Sequence, residues 1–176
     1  EAGGHGMQVF DLTRLREVAN PPETFTEDAH YGGFGSAHNI VINEESGYAY
    51  AVGTSSYNGG AHFVDISNPL NPLGEGGYGD SGYSHDAQVI TYNGPDTDYA
   101  GREIYVGSKE LTVTVLKNKP LCVTEIEAQK NETFYNYNAK YEKNGSLHRI
   151  PAKIPAKIYE QSMSWAIKAH NIIGCK

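Results

Sequence analysis

Short stretches of alternating apolar and polar residues, separated by Gly, Asn, Pro and Asp, run through the first two-thirds of the chain. The first copy of this pattern predicts strands at residues 38–43, 48–53, 61–67 and, more weakly, 73–78. The first two strands flank the turn Glu44–Gly47 and predict a β-hairpin. Pro69 and Pro72 end the third strand, because proline has no N–H to donate to a ladder. The pattern therefore predicts an antiparallel sheet of three or four strands.

The same pattern returns along the chain. Tyr83–Ile90 matches Ser36–Ile42, so that His38 and His85 occupy equivalent positions 47 residues apart. Further matches join 102–108 to 47–54, 111–116 to 61–66, and a partial early copy at 7–13 to 62–67. Self-similarity near 45 residues, with three or four strands per unit, is typical of the blades of a β-propeller.

The segments GMQVFDLTRLR, FTEDAHYGGFGSAHNIVINEESGYAYAVGT, GGAHFVDISNPLNP and YSHDAQVITYNGPDTDYAGREIYVGS carry a resemblance to a known family. Together they resemble consecutive parts of a choice-of-anchor B protein built from LVIVD repeats. The resemblance covers about two-thirds of the chain and implies a secreted or surface β-propeller with no known reaction. Two departures are visible: only about two and a half blades are present, where closure needs at least four, and the pattern is lost after Val115.

The composition changes sharply at Lys117. The residues before it include 16 acidic and 4 basic side chains, a net charge of −12, whereas those from Lys117 onward include 5 acidic and 10 basic, a net charge of +5. Of the 20 glycines, 18 precede Lys117. This break predicts a division into propeller repeats at 1–116 and a basic C-terminal segment at 117–176.

The C-terminal segment predicts one more strand at Leu121–Glu127 and an amphipathic helix near 155–173. Pro155 near the start of this helix and Gly174 just after its end fit the usual positions of these two residues. The predicted fold class is therefore mainly β: a partial β-propeller of about two and a half blades of antiparallel four-stranded sheet, with a small C-terminal strand-plus-helix segment.

The only two cysteines, Cys122 and Cys175, lie at the two ends of this segment. A disulfide between them would close a loop of about 50 residues and stabilise the chain by about 3–4 kcal/mol. The alternative is two unrelated thiols. Asn131 and Asn144 begin glycosylation sequons, which matter only in a secretory pathway.

His38 and His85 are the first candidate metal ligands. In a propeller they would lie at the mouth of the central channel, where Asp86 follows the second histidine. Imidazole suits zinc, copper, iron or nickel. The alternative is structural, with each histidine bonding a neighbouring backbone group and fixing its loop.

Asp96 and Asp98 are the second candidate metal ligands. With Asn93 they place side-chain oxygens at alternating positions between two strands, as calcium prefers. The alternative is an ordinary turn, because Asn-Gly and Pro-Asp are common turn sequences.

The net charge of −7 argues against nucleic-acid binding, and no run of about 18 apolar residues predicts a membrane span. We therefore expect a secreted or cell-surface module for binding or extracellular assembly. This interpretation favours a protein without enzymatic activity over an enzyme. Its partners would be a protein, a carbohydrate or another copy joined through open sheet edges. The alternatives are a metal-dependent enzyme using the channel histidines, or a fragment without independent activity. No cofactor is fixed by the residues; the candidate is a divalent metal, either calcium or a transition metal.

Overall fold

The computed structural model describes residues 4–128 and 146–174. The chain forms two compact units, Glu1–Ser108 and Lys109–Lys176, called here unit 1 and unit 2. The composition break at Lys117 lies inside unit 2. The division of the chain into 1–116 and 117–176 stays a prediction.

Unit 1 contains eight strands among its described residues. They are β1 (Met7–Val9), β2 (Ala29–Tyr31), β3 (Asn39–Asn43), β4 (Tyr48–Val52), β5 (Ala61–Asp65), β6 (Leu73–Tyr78), β7 (Asp86–Thr91) and β8 (Glu103–Ser108). The strands form three separate antiparallel sheets, in the orders β1-β2, β3-β4-β5-β6 and β7-β8. Only the central sheet reaches four strands.

The core of unit 1 is built from small and medium-sized side chains around β4. Ala49 and Ala51 pack with Val64 and Phe34 on one side, and Val52 packs with Ala61 and Ala87 on the other. Because Ala87 belongs to β7, the second of these clusters joins the four-stranded sheet to the β7-β8 sheet. Burial of β4 on both faces explains its nearly continuous apolar sequence.

The predicted partial β-propeller is wrong. The second copy of the repeat stops at two strands, and the segment expected to be its third strand, β9 (Glu110–Leu116), belongs to a different sheet in unit 2. The reason lies in the connections. Residues 53–60 allow the chain to reverse between β4 and β5, whereas a single residue, Lys109, separates β8 from β9. A hairpin needs a loop of at least two residues, so β9 cannot fold back on β8.

Unit 2 is a three-stranded antiparallel sheet with one helix among its described residues. The strands are β9, β10 (Lys119–Ala128) and β11 (Ser146–Arg149), in the order β11-β10-β9, and the helix is α1 (Ala156–Ile173). Lys117 and Asn118 form the two-residue turn between β9 and β10, both with positive φ, at 50° and 59°. The register shifts between Pro120 and Cys122, a bulge that accommodates the proline.

Helix α1 packs on the sheet of unit 2 and lies within the predicted span 155–173. It ends at Gly174, whose φ of 71° is the left-handed conformation that glycine adopts readily at a helix end. The Val123 N–H donates to the Tyr159 hydroxyl at 3.0 Å, and His170 Nε2 is hydrogen-bonded to Asn118 Oδ1 at 2.8 Å. These two bonds fix the helix at both ends. No helix in residues 4–128 or 146–174 is long and apolar enough to cross a membrane.

Candidate functional site

The structure brings the two predicted histidine ligands together in unit 1. The rings of His38 and His85 have centroids 4.2 Å apart and planes inclined by 39°. Each histidine directly precedes a strand, and its backbone is fixed there: the His38 N–H donates to the Val52 carbonyl at 2.9 Å, and the His85 N–H to the Ser108 carbonyl at 2.7 Å. The two imidazoles are therefore held side by side by the ends of two sheets.

Asp86, the third predicted ligand, is engaged in hydrogen bonds. Its Oδ1 accepts from Asn39 Nδ2 at 2.6 Å and from the Ala87 N–H at 2.8 Å. The bond from Asn39 links the starts of β3 and β7 at equivalent repeat positions, and the bond from Ala87 lies within β7. In the described part of the chain no three His, Cys, Asp or Glu side chains lie close enough together to hold a metal ion. Asp86 therefore serves the joint between the sheets, and its role as a ligand stays a prediction.

Asp96 and Asp98 lie in the exposed connection between β7 and β8. The Asp98 N–H donates to Asp96 Oδ1 at 3.1 Å, which is the hydrogen bond of an Asx turn. Tyr92 and Tyr99 pack edge to face beside it, with ring centroids 6.3 Å apart. The geometry is that of an ordered turn, and the calcium site stays a prediction.

The other predicted sites lie partly or wholly outside the described residues. Cys122 is half-buried on β10, where its Sγ lies 4.0 Å from Thr124 Oγ1, but Cys175 is outside the described range. Asn131 and Asn144 are also outside it. The disulfide and both glycosylation sites therefore stay predictions.

Sequence reasoning missed a buried hydroxyl–imidazole network in unit 1. His62, only 5% exposed, is hydrogen-bonded through Nε2 to the Tyr31 hydroxyl and through Nδ1 to Ser56 Oγ, each at 2.7 Å. The rings of Tyr31, Phe34 and Tyr57 pack edge to face around it. No sequence spacing predicts this hydrogen-bond network, because Tyr31 and His62 are 31 residues apart and meet only in the folded chain.

The network resembles a serine nucleophile with its base, but the electrostatics favour a structural role. Burial lowers the pKa of His62, so its cationic form is disfavoured. No carboxylate is hydrogen-bonded to the ring to stabilise an imidazolium, as a catalytic base would need. Ser56 Oγ is also hydrogen-bonded to Thr54 Oγ1 at 2.8 Å. The network thus fixes the loop between β4 and β5.

Glu103 is a second side chain that sequence reasoning overlooked. Its Oε1 accepts from Asn43 Nδ2 at 2.6 Å and from Ser46 Oγ at 2.8 Å, joining β8 to the β3–β4 turn. Burial and the neighbouring Glu103 carboxylate raise the pKa of the Tyr50 phenol. Tyr50 stacks on Tyr105, with centroids 5.9 Å apart. The Glu103 carboxylate therefore links the β7-β8 sheet to the four-stranded sheet.

The most deeply buried charge among the described residues is Glu125 on β10, in unit 2. Its side chain is 1% exposed and pairs through Oε1 with Lys109 Nζ at 2.5 Å, while Oε2 accepts from the Lys153 N–H at 3.2 Å. The hydrogen bond from Lys109 holds the pKa of Glu125 below its usual value, against the opposing effect of burial. Glu125 therefore ties β10 both to the start of β9 and to the segment leading into α1.

The comparisons with known proteins point to this C-terminal part of the chain. Residues 102–176 match the family model for the D-ala D-ala ligase C-terminus. The match begins at the start of β8 and includes all of unit 2. No solved structure matches the chain.

The similar proteins are D-alanine–D-alanine ligases. The ligase of Sinorhizobium fredii is 45% identical over 96 residues, which are 53% of this chain and 30% of the ligase. The ligase of Zymomonas mobilis is 45% identical over 74 residues, 42% of this chain and 22% of its own length. That of Dinoroseobacter shibae is 43% identical over 74 residues, again 42% of this chain and 23% of the ligase. The chain thus spans less than a third of these relatives.

These similarities correct several predictions. The recognition of an LVIVD-repeat, choice-of-anchor B protein is wrong, since the matched family and the similar proteins are ligases. The predicted binding or assembly module and the preference for a non-enzyme are wrong for the same reason, because a ligase is an enzyme. The extracellular or cell-surface location, the secreted-glycoprotein description, and the protein, carbohydrate or self-association partners depended on that recognition and are wrong with it. A divalent metal remains compatible with a ligase, without a specified ion or ligand set.

Proposed function

We propose that residues 102–176 act as part of the C-terminal domain of an enzyme that joins two D-alanine molecules. The observation that carries this proposal is the family match over these residues, together with identities of 43–45% to ligases from several bacteria. Because the chain spans 30% or less of those ligases, the activity belongs to the longer enzyme and this segment supplies a portion of its framework.

The framework role rests on how unit 2 is held together. The Ala152 N–H donates to the Val123 carbonyl at 2.8 Å, next to the bond from the Lys153 N–H to Glu125. The segment that leads into α1 is therefore anchored to β10 at two consecutive residues. An enzyme needs such rigid supports, because side chains displaced by about 1 Å can lose much of their catalytic effect.

Joining two amino acids also implies a cofactor. Forming an amide from a carboxylate requires that the carboxyl group first be activated. ATP with Mg²⁺, when bound, would supply the phosphoryl group for this activation. The net charge of +5 from Lys117 onward would complement a nucleotide's phosphates. Among the described residues no three His, Cys, Asp or Glu side chains lie close together, and Glu125 is paired with Lys109, so the structure identifies no Mg²⁺ ligands there. We therefore assign the described residues no step that passes through the metal.

A graft tests this proposal. In the Sinorhizobium fredii ligase, the part that corresponds to residues 102–176 is replaced by these residues of this chain, and formation of D-alanyl-D-alanine is measured with ATP and Mg²⁺. We expect kcat/KM to fall by no more than about tenfold, equivalent to about 1.4 kcal/mol of transition-state stabilisation. A graft that folds, as judged by circular dichroism, but forms no product would contradict the proposal.

Two controls accompany the graft. The ligase with its own segment excised and reinserted by the same cloning route sets the reference rate. The present chain alone, given D-alanine, ATP and Mg²⁺, should form no dipeptide above the uncatalysed rate, because it spans 30% or less of the ligases it resembles. Turnover by the chain alone would place the whole catalytic apparatus within these 176 residues and overturn the framework role.

A further inference from the structure

We propose that His38 and His85 form a binding site for a divalent transition metal in unit 1, with the two imidazoles as protein ligands and solvent completing the coordination. Both histidines lie outside residues 102–176, so this site goes beyond the ligase function proposed above. The carrying observation is that two histidines 47 residues apart in the sequence lie with their rings in contact.

The separation of the rings is slightly smaller than a shared metal ion requires. A ring centroid lies about 3.2 Å from a metal bound to one of its nitrogens, so two imidazoles on one ion have centroids about 4.5–5.5 Å apart. The ring centroids of His38 and His85 are 4.2 Å apart, so the rings would have to move apart and reorient to bind one ion.

Hydrogen bonds fix the backbone positions from which the two imidazoles extend. His38 is fixed to Val52 and His85 to Ser108 by the backbone bonds described above, and the Asn39–Asp86 hydrogen bond joins the next residue of each strand. With the backbone fixed, only the side-chain torsions of the two histidines have to be ordered when a metal binds, which limits the entropy cost.

An open cavity beside His38 gives a metal access to that ring, although His85 is not one of the residues that line it. It has a volume of about 510 Å³ and is lined in part by His38, Asn39 and His5. The cavity admits the water molecules that a two-histidine site requires as its other ligands. It also brings a third imidazole, that of His5, to the same cavity wall.

The chemistry of the ligands selects the metal. Imidazole nitrogen favours Cu²⁺, Zn²⁺ and Ni²⁺ over Ca²⁺ and Mg²⁺, which prefer oxygen. Among the first-row divalent ions Cu²⁺ binds a given nitrogen site most tightly. Asp86 is occupied by Asn39 and by the Ala87 N–H and is not needed as a ligand.

Cu²⁺ binding to the full chain without a histidine tag tests the site. Affinity is measured by isothermal titration calorimetry, and the Cu²⁺ spectrum by electron paramagnetic resonance, which counts bound nitrogens. We expect one equivalent to bind with two-nitrogen coordination. His38→Gln and His85→Gln should each weaken binding by about tenfold or more, and the double variant should lose little beyond either single one, because chelation needs both rings. The glutamines keep the volume and polarity of the site.

Two further variants distinguish the outcomes. His170→Gln removes an imidazole in unit 2 and should leave Cu²⁺ affinity unchanged. His5→Gln tests for copper held by the N-terminal segment instead. The site would be overturned by a wild-type chain that binds no Cu²⁺, by binding unaffected in both His38→Gln and His85→Gln, or by binding that only His5→Gln abolishes. Circular dichroism confirms that each variant is folded.

Discussion

At the scale of single residues, the carboxylates that connect one element of the fold to another are hydrogen-bonded or ion-paired. Glu103 accepts from Asn43 and Ser46, and Glu125 pairs with Lys109 and the Lys153 N–H. A buried carboxylate without such partners would be costly, because its charge would have lost water without compensation. Removing a partner would therefore reduce stability mainly because it leaves a buried carboxylate unpaired. The net stability that the intact interaction adds is smaller.

Lys109→Met tests this at Glu125. The substitution keeps most of the side-chain length but removes the ion pair, so the buried carboxylate keeps only the Lys153 hydrogen bond and the weaker electrostatic effect of Arg149. We expect unit 2 to lose about 1–3 kcal/mol of stability, below the cost of breaking a fully buried pair because the Lys109 side chain is 50% exposed. Urea denaturation followed at 222 nm measures the change, since α1 is the only α-helix in the described residues.

Lys168→Met on the exposed part of α1 is the matched control and should change stability by less than about 0.5 kcal/mol. The pH dependence provides a second check. Because the pKa of Glu125 is lowered in the folded chain, its contribution is present above the ordinary carboxyl pKa and is lost as pH falls through the folded value. Equal midpoints for the two lysine variants would show that the ion pair contributes nothing.

At the scale of elements, turn chemistry decides which strands pair. The link between β8 and β9 is Lys109, and neither Lys109 nor Glu110 has the positive φ that a two-residue hairpin turn requires. Lys117 and Asn118 both have it, so β9 folds onto β10. This signal was present in the sequence, because asparagine tolerates the left-handed region and Asn118 lies two residues after Leu116, the last apolar residue of β9.

Substitutions at Lys117 test the importance of this turn. Lys117→Asn should stabilise unit 2 by about 0.5–1 kcal/mol, because asparagine is favoured at positive φ in such turns. Lys117→Val should destabilise it by about 1–2 kcal/mol, because a β-branched side chain clashes in that conformation. Urea midpoints at 222 nm give both values. If the valine variant proved as stable as the asparagine variant, the turn would not set the β9–β10 pairing.

At the scale of the whole molecule, local structure was predictable and assembly was not. The strands β3 to β5 and the helix α1 lie close to the segments that alternation, turn residues, Pro155 and Gly174 indicate. The number of strands per sheet depends on long-range pairing, and the chain has two units with separate cores instead of repeated blades. The contact of His38 with His85 followed from the repeat, whereas the Tyr31–His62–Ser56 network had no periodic signal. The ligase similarity covers residues 102–176, which begin within the second copy of the repeat and include the whole basic segment from Lys117 onward.

Two units with their own cores should open separately. Val64 in unit 1 and Val123 in unit 2 are both fully buried, so truncating either to alanine should cost its unit about 1–3 kcal/mol. Hydrogen–deuterium exchange read by mass spectrometry resolves the two effects along the chain. We expect Val64→Ala to speed exchange in β3–β6 while β9 and β10 keep their protection, and Val123→Ala to do the reverse. Faster exchange throughout the chain in both variants would contradict this prediction, because it would mean that the two units unfold as one cooperative body.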